Sequence, residues 1–212
     1  MVLNQSFSDS STPGQVLAQK EFKNNFYDYV KEFFNAQAAN KKLKIVFDFA
    51  NGMGALDKKI FEEMNHYIEP TYMYEELDGN FPNHEANPLK VQTLEALQAK
   101  VKEKKADLGV AYDGDADRVG FVDEKGEVVP MDYITALIAK EILKENEGGL
   151  ILVDLRSSNA VIEYIEAAGG RVDLCRVGHS LIKKQMRKEH AIFAGELSGH
   201  YYFDENYKAE LS

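Results

Sequence analysis

The chain has no tryptophan, one cysteine and five prolines, and nowhere runs through 18 consecutive apolar residues. The lone Cys175 cannot close an internal disulfide, and its place in Val172-Asp-Leu-Cys-Arg-Val177 reads as a buried strand thiol suited to a reducing cytoplasm. Without a long apolar run no transmembrane helix is expected, and Asn4, Ser6, Ser8 and Asp9 interrupt any signal-peptide core near Met1. Positive charge is scarce too. With 25 Lys and Arg against 35 Asp and Glu, the formal net charge is −10. That balance argues against sequence-independent binding to nucleic acid or to an anionic membrane surface, both of which need a basic footprint. Small molecules remain as the expected partners of a soluble, cytoplasmic protein whose 212 residues, 44% hydrophobic, suffice for a real core.

Turn formers dominate residues 4 to 15, so residues 1–15 read as a tail or linker. Apolar residues at 22, 26, 29, 30, 33 and 34 then recur at helical spacing within Val16 to Ala39, and Tyr27, Tyr29, Phe33 and Phe34 are expected in a core. A β-α-β alternation follows: strand Lys44 to Phe49, helix Ala55 to Met64 and strand Tyr67 to Tyr74. Asn87 as N-cap and Pro88 as first helical residue predict a helix over Leu89 to Lys102. Strand Leu108 to Tyr112 and a hairpin over Val119 to Val129 come next. Pro130 breaks the chain before a helix over Asp132 to Lys144, which places a domain boundary between 16–129 and 130–212. A second β-α-β run has strand Leu150 to Val153, a helix capped by Ser157 or Ser158, strand Arg171 to Val177, helix Ser180 to Lys188 and strand Ala191 to Ala194. The fold class is therefore α/β. Lys183, Lys184, Arg187 and Lys188 make a basic stripe that reads as a solvated helix face or as an attractor of anionic ligands.

Chemistry concentrates in Asp113-Gly-Asp-Ala-Asp-Arg118, directly after an apolar strand. Alternate side chains of an extended strand stand roughly 6.5 to 7 Å apart, too far to share one Mg²⁺ at about 2.1 Å. The loop must therefore curl for Asp113, Asp115 and Asp117 to converge, and Gly114 and Ala116 are the small residues that let it, Gly114 being free to take positive φ. Arg118 projects from the rim. An EF-hand loop, with Asp113, Asp115, Asp117 and Glu124 at its positions 1, 3, 5 and 12, is a competing reading, but Arg118 stands where that loop needs glycine and the flanks read as strands. A phosphatase-type nucleophilic Asp and a merely solvated acidic tip also fit locally.

A second constellation, Gly195-Glu-Leu-Ser-Gly-His200, also follows a short apolar strand and sets a carboxylate, a hydroxyl and an imidazole among glycines, a combination suited to a polyol. Taken alone it fits an ordinary turn beside a satisfied histidine equally well.

Together the two loops resemble the α-D-phosphohexomutase superfamily, whose metal loop reads Asp-Gly-Asp-x-Asp-Arg and whose sugar loop reads Gly-Glu-x-Ser-Gly-His. Gly79-Asn-Phe-Pro-Asn-His84, Asp154-Leu-Arg-Ser-Ser158 and Val177-Gly-His-Ser-Leu-Ile-Lys183 agree with it, so the resemblance runs from about Lys20 to about Tyr207. It implies two consecutive three-layer α/β domains with mixed sheets, the second truncated, corresponding to the second and third domains of a four-domain enzyme. It also implies Mg²⁺ on Asp113, Asp115 and Asp117, and Arg118 beside the transferred phosphate. His200 would be a proton carrier, Glu196 and Ser198 would grip sugar hydroxyls, and His179 and Arg156 would contact the sugar phosphate. The implied reaction moves phosphate between C1 and C6 of a hexose phosphate through a phosphoserine and a hexose 1,6-bisphosphate. The phosphoserine loop and the fourth-domain phosphate loop of that family are absent from these 212 residues, so the chain by itself is expected to be inactive. The alternative is a non-catalytic sugar-phosphate or metal-binding module, self-associating through the open edge of its incomplete third domain.

Overall fold

The computed structural model describes residues 14–15, 23–32 and 41–210. Residues 23–32 form helix α1 (Lys23–Glu32), in which Tyr27 is buried. The rest of the helix expected over 16–39, with Phe33 and Phe34, lies outside the described residues, as does nearly all of the expected tail.

From residue 41 onward the chain builds two mixed five-stranded sheets. The first combines β1 (Leu43–Asp48), β2 (Ile68–Met73), β3 (Leu108–Tyr112), β4 (Val119–Asp123) and β5 (Val128–Val129) in the order β2-β1-β3-β4-β5. Strands β2, β1 and β3 are parallel, with Val46 opposite Thr71 and Phe47 opposite Val110; β4 and β5 turn back antiparallel through the hairpin at Gly126. The second sheet uses β6 (Leu150–Asp154), β7 (Arg171–Cys175), β8 (Phe193–Gly195), β9 (Tyr201–Phe203) and β10 (Ala209–Glu210). Its order, β7-β6-β8-β9-β10, repeats that of the first sheet, again with three parallel strands followed by two antiparallel ones.

Period-two alternation assigns the faces of both sheets. Ile45, Phe47, Val110 and Tyr112 on one side, and Ile151, Val153, Phe193 and Tyr201 on the other, belong to one continuous buried cluster that also takes in helix α4 (Met131–Leu143) and helix α5 (Asn159–Ala167). The alternate residues Val46, Ala111 and Val122 pack under helix α3 (Glu95–Lys104), and Leu152, Cys175 and Ala194 under helix α6 (His179–Glu189). Cys175 is buried as its sequence context predicts, and burial pushes its thiol up to about 12.

Several boundaries differ from the sequence reading. The helix expected from Leu89 begins as a 3₁₀ turn at Val91–Leu94 and becomes α-helical only at Glu95. Asn87 does not cap it: its Oδ1 accepts from the Leu89 amide, while the Thr93 hydroxyl donates to the Asn87 and Lys90 carbonyls and tightens the turn. Residues 53–57 are likewise 3₁₀ before helix α2 (Lys58–Glu63). The short strands β9 and β10 carry no readable period and were not expected.

Candidate active site

The two motif loops occupy equivalent places, between β3 and β4 in one sheet and between β8 and β9 in the other. Both lie at the carboxyl ends of parallel strands, where α/β sheets bind ligands. Four parallel strands end there on a buried acid. Asp48 ends β1, Asp113 follows β3, Asp154 ends β6 and Glu196 follows β8; the first three are fully buried and Glu196 is 2% exposed.

Each of these carboxylates faces a base. Asp113 Oδ1 accepts from the Asp117 and Arg118 amides at 3.1 and 3.2 Å, and its Oδ2 accepts from Arg118 Nε at 2.6 Å. Asp154 takes Arg156 twice, at 2.6 Å from Nη2 and 3.2 Å from Nε, and its Oδ2 also receives the Leu197 amide at 2.7 Å. Arg156 thereby lies beside the second loop, lining with Leu197, Pro130 and Leu89 a cavity of about 390 Å³. Asp48 faces His84, with Nε2 at 3.1 Å from Oδ2. Glu196 accepts from the Tyr202 hydroxyl at 2.7 Å and the Gly178 amide at 3.2 Å, and lies 3.2 Å from His200 Nδ1.

In the first loop Asp113, Asp115 and Asp117 each offer an oxygen within 4.8 Å of the others. In an octahedral Mg²⁺ shell adjacent oxygens stand about 3 Å apart and opposite ones about 4.2 Å, so the three carboxylates would draw together to share such an ion. The positive φ that curls the loop falls on Ala116 at 62°, correcting the expectation for Gly114. Gly114 serves close approach instead. Its carbonyl accepts the Met53 amide at 3.0 Å, and a Cβ on it would meet Phe81 at 3.1 Å.

The second loop meets the first through His200. His200 Nε2 lies 3.3 Å from Asp117 Oδ2, and Nδ1 is 2.9 Å from Ser198 Oγ. The Val119 amide donates to the Gly199 carbonyl at 3.1 Å, and Gly199, with φ of 88°, leaves no room for a Cβ, which would stand 2.8 Å from the Val119 carbonyl oxygen. Burial would lower the His200 ring's affinity for a proton, but Glu196 and Asp117 outweigh it and raise the ring above the usual imidazole range. Burial would raise Glu196, yet donors from His200, Tyr202 and Gly178 hold its carboxyl below the ordinary value. Because both Glu196 oxygens are engaged inside the protein, a ligand would meet only their remaining lone pairs.

His179 begins α6 and is exposed; Gly178, just before it, donates to Glu196. Asp48, His84 and Tyr202 were missed as members of this cluster. An apolar run closing on an acid, as in Ile45-Val-Phe-Asp48 and Ile151-Leu-Val-Asp154, is the signal that would have found the strand-end carboxylates.

Two mixed sheets of one topology thus carry an acidic triad and a histidine-linked hydroxyl loop at their carboxyl ends. The family model for phosphoglucomutase/phosphomannomutase alpha/beta/alpha domain II matches residues 24–126, and that for alpha/beta/alpha domain III matches 130–210. The chain belongs to the phosphoglucomutase/phosphomannomutase family. It is 42% identical over 180 residues to a phosphomannomutase/phosphoglucomutase of Pseudomonas syringae, covering 84% of this chain and 38% of that protein. It is 43% identical over 186 residues to a phosphomannomutase of Methanocaldococcus jannaschii, covering 87% and 41%. The crystal structure of a family protein from Burkholderia thailandensis superposes with a TM-score of 0.84 at 30% identity, covering 91% of this chain and 41% of that one. The chain thus spans about two fifths of the length of the curated relatives it matches.

Proposed function

We propose that this chain supplies the metal-binding and sugar-binding parts of a phosphohexomutase that moves phosphate between C1 and C6 of a hexose phosphate by way of a phosphoserine and a hexose 1,6-bisphosphate. The observation that carries this reading is His200, which joins the acidic loop at Asp117 to the hydroxyl-bearing loop at Ser198 and Glu196. In this reading the domains divide at Pro130, and the protein works in the cytoplasm.

Asp113, Asp115 and Asp117 would hold Mg²⁺, which when bound would supply positive charge to a transferring phosphoryl group. Arg118, fixed on Asp113, adds a guanidinium at the rim of the same loop. His200 holds a proton at Nε2 on the side of the metal loop, while Nδ1 is oriented by Ser198 and Glu196, the arrangement of a proton carrier whose ring cannot turn away. Ser198 and Glu196 accept from vicinal sugar hydroxyls. Arg156, which lines a cavity with Leu197, and His179, next to the Gly178 that donates to Glu196, contact the sugar phosphate.

Phosphoryl transfer depends on presenting donor, metal and acceptor in line, and these 212 residues contain no Thr-Ala-Ser-His-Asn-Pro loop to present a donor. The chain assayed alone with Mg²⁺ and added hexose 1,6-bisphosphate is therefore expected to show no turnover of glucose 1-phosphate or mannose 1-phosphate. A coupled assay decides this. Conversion to glucose 6-phosphate at a rate that scales with chain concentration and vanishes in Asp115→Ala would show a nucleophile within these residues.

A further inference from the structure

Of the four acid–base pairs, Asp48 with His84 has no part in the reaction proposed above. Asp48 is fully buried, and its Oδ1 accepts the Ala50 amide at 2.9 Å. His84 Nε2 stands 3.2 and 3.1 Å from the two Asp48 oxygens, and its Nδ1 stands 2.8 Å from the Glu85 carbonyl oxygen. A carbonyl and a carboxylate only accept, so both ring nitrogens must donate, and a ring that donates twice is an imidazolium. A neutral ring would set a lone pair against one of these acceptors.

The loop that carries His84 is the wall against which the metal loop rests. A Cβ on Gly114 would come within 3.1 Å of Phe81 and 3.8 Å of the Ala86 Cβ, and one on Gly120 would reach Pro88 at 2.9 Å. Asn83 Nδ2 donates to Asn51 Oδ1 at 2.8 Å, tying the same loop to the turn after β1.

We propose that His84 is a positioning residue whose imidazolium, clamped between Asp48 and the Glu85 carbonyl, fixes residues 79–90 as the wall of the metal loop, so that the geometry of Asp113, Asp115 and Asp117 depends on a proton none of them carries. The other titratable groups near the ring are Tyr74, edge-on at 5.3 Å, and Glu85, whose carboxylate is turned to Lys90 at 2.5 Å. The hydrogen bond to Asp48 raises the His84 ring above the imidazole value of 6.5, against the lowering effect of its partial burial. A raised value means that the clamp is complete below 6.5 and is lost as pH rises through the folded-state midpoint.

Two-dimensional NMR of the 212-residue chain, with the His84 midpoint read from its ring carbons, is the first test. The Gly114 and Phe81 amides are expected to titrate with that midpoint in the wild type and not in H84Q. The second test uses the double variant D48N/H84Q, which at about pH 6 has the net charge of the wild type, because the imidazole is then largely protonated. It is expected to bind Mn²⁺ about tenfold more weakly, the effect of one charge-assisted hydrogen bond at the low end of its range. A Gly114 amide that ignores the His84 midpoint, or a double variant with wild-type Mn²⁺ affinity, overturns the proposal. Should the variants not fold, the wild-type titration decides alone. The Mn²⁺ arm rests on the reading of residues 113–117 as a cation site. If wild type and D115A bind Mn²⁺ alike, that reading fails, and the amide titration still judges His84.

Discussion

Asp113 and Asp115 are two residues apart and should answer differently to substitution. Asp115 is exposed, whereas Asp113 is fully buried and takes three donors from Asp117 and Arg118. Asp115→Ala is expected to remove cation binding and to change stability by no more than about 0.5 kcal/mol, as for an ordinary surface position. Asp113→Ala also removes binding but costs about 3 kcal/mol, because it strands a partly buried guanidinium. Mn²⁺ relaxation and urea unfolding separate the two, and equal Mn²⁺ affinity in wild type and Asp115→Ala would remove the site. Tyr202→Phe deletes the hydroxyl that Glu196 accepts at 2.7 Å and should cost about 1 to 2 kcal/mol. The depressed Glu196 value contributes stability that is present above about 4.5 and lost as pH falls through the folded value. Tyr202→Phe should therefore shift the acid limb of the stability curve to higher pH, and an acid limb unmoved by the change would contradict this account of Glu196.

The central strands were legible because their apolar runs are short, β-branched or aromatic, and closed by an acid or glycine. Strands β1, β3 and β6 fall within a residue of where Lys44 to Phe49, Leu108 to Tyr112 and Leu150 to Val153 placed them. Element starts were less legible, because Thr93 and Asn87 settle the onset of α3 through side-chain bonds to a turn that periodicity does not register. Strands β9 and β10, three and two residues long, exist by pairing onto β8 and β9 rather than by local preference. Gly199 opens β9, and its replacement is the sharpest test of that element. Gly199→Ala meets both a φ of 88° and the Val119 carbonyl at 2.8 Å, so a loss of at least about 1 kcal/mol is expected, with the His200 ring shift reverting toward its ordinary value. A variant as stable as the wild type, with His200 titrating unchanged, would mean that the loop does not rest on Val119.

For the molecule as a whole, the two motifs could be read from consecutive residues, but their meeting could not. It follows from two sheets repeating one strand order, which sets the loop after β3 and the loop after β8 at matching strand ends. His84, Tyr202 and Asp48 join the site over 36 residues in one case and within a short unforeseen strand in another. Pairwise spacing carries no trace of such contacts. The Val119–Gly199 hydrogen bond and the Asp117–His200 contact stitch the two sheets together across Pro130. The result is mechanical. Pro130 marks a change of sheet but offers no joint, since any rotation about it must break both contacts and open the buried cluster the two sheets share. Within residues 41–210 the acidic loop and the hydroxyl-bearing loop are thus parts of one jaw, and neither can open without dragging the other.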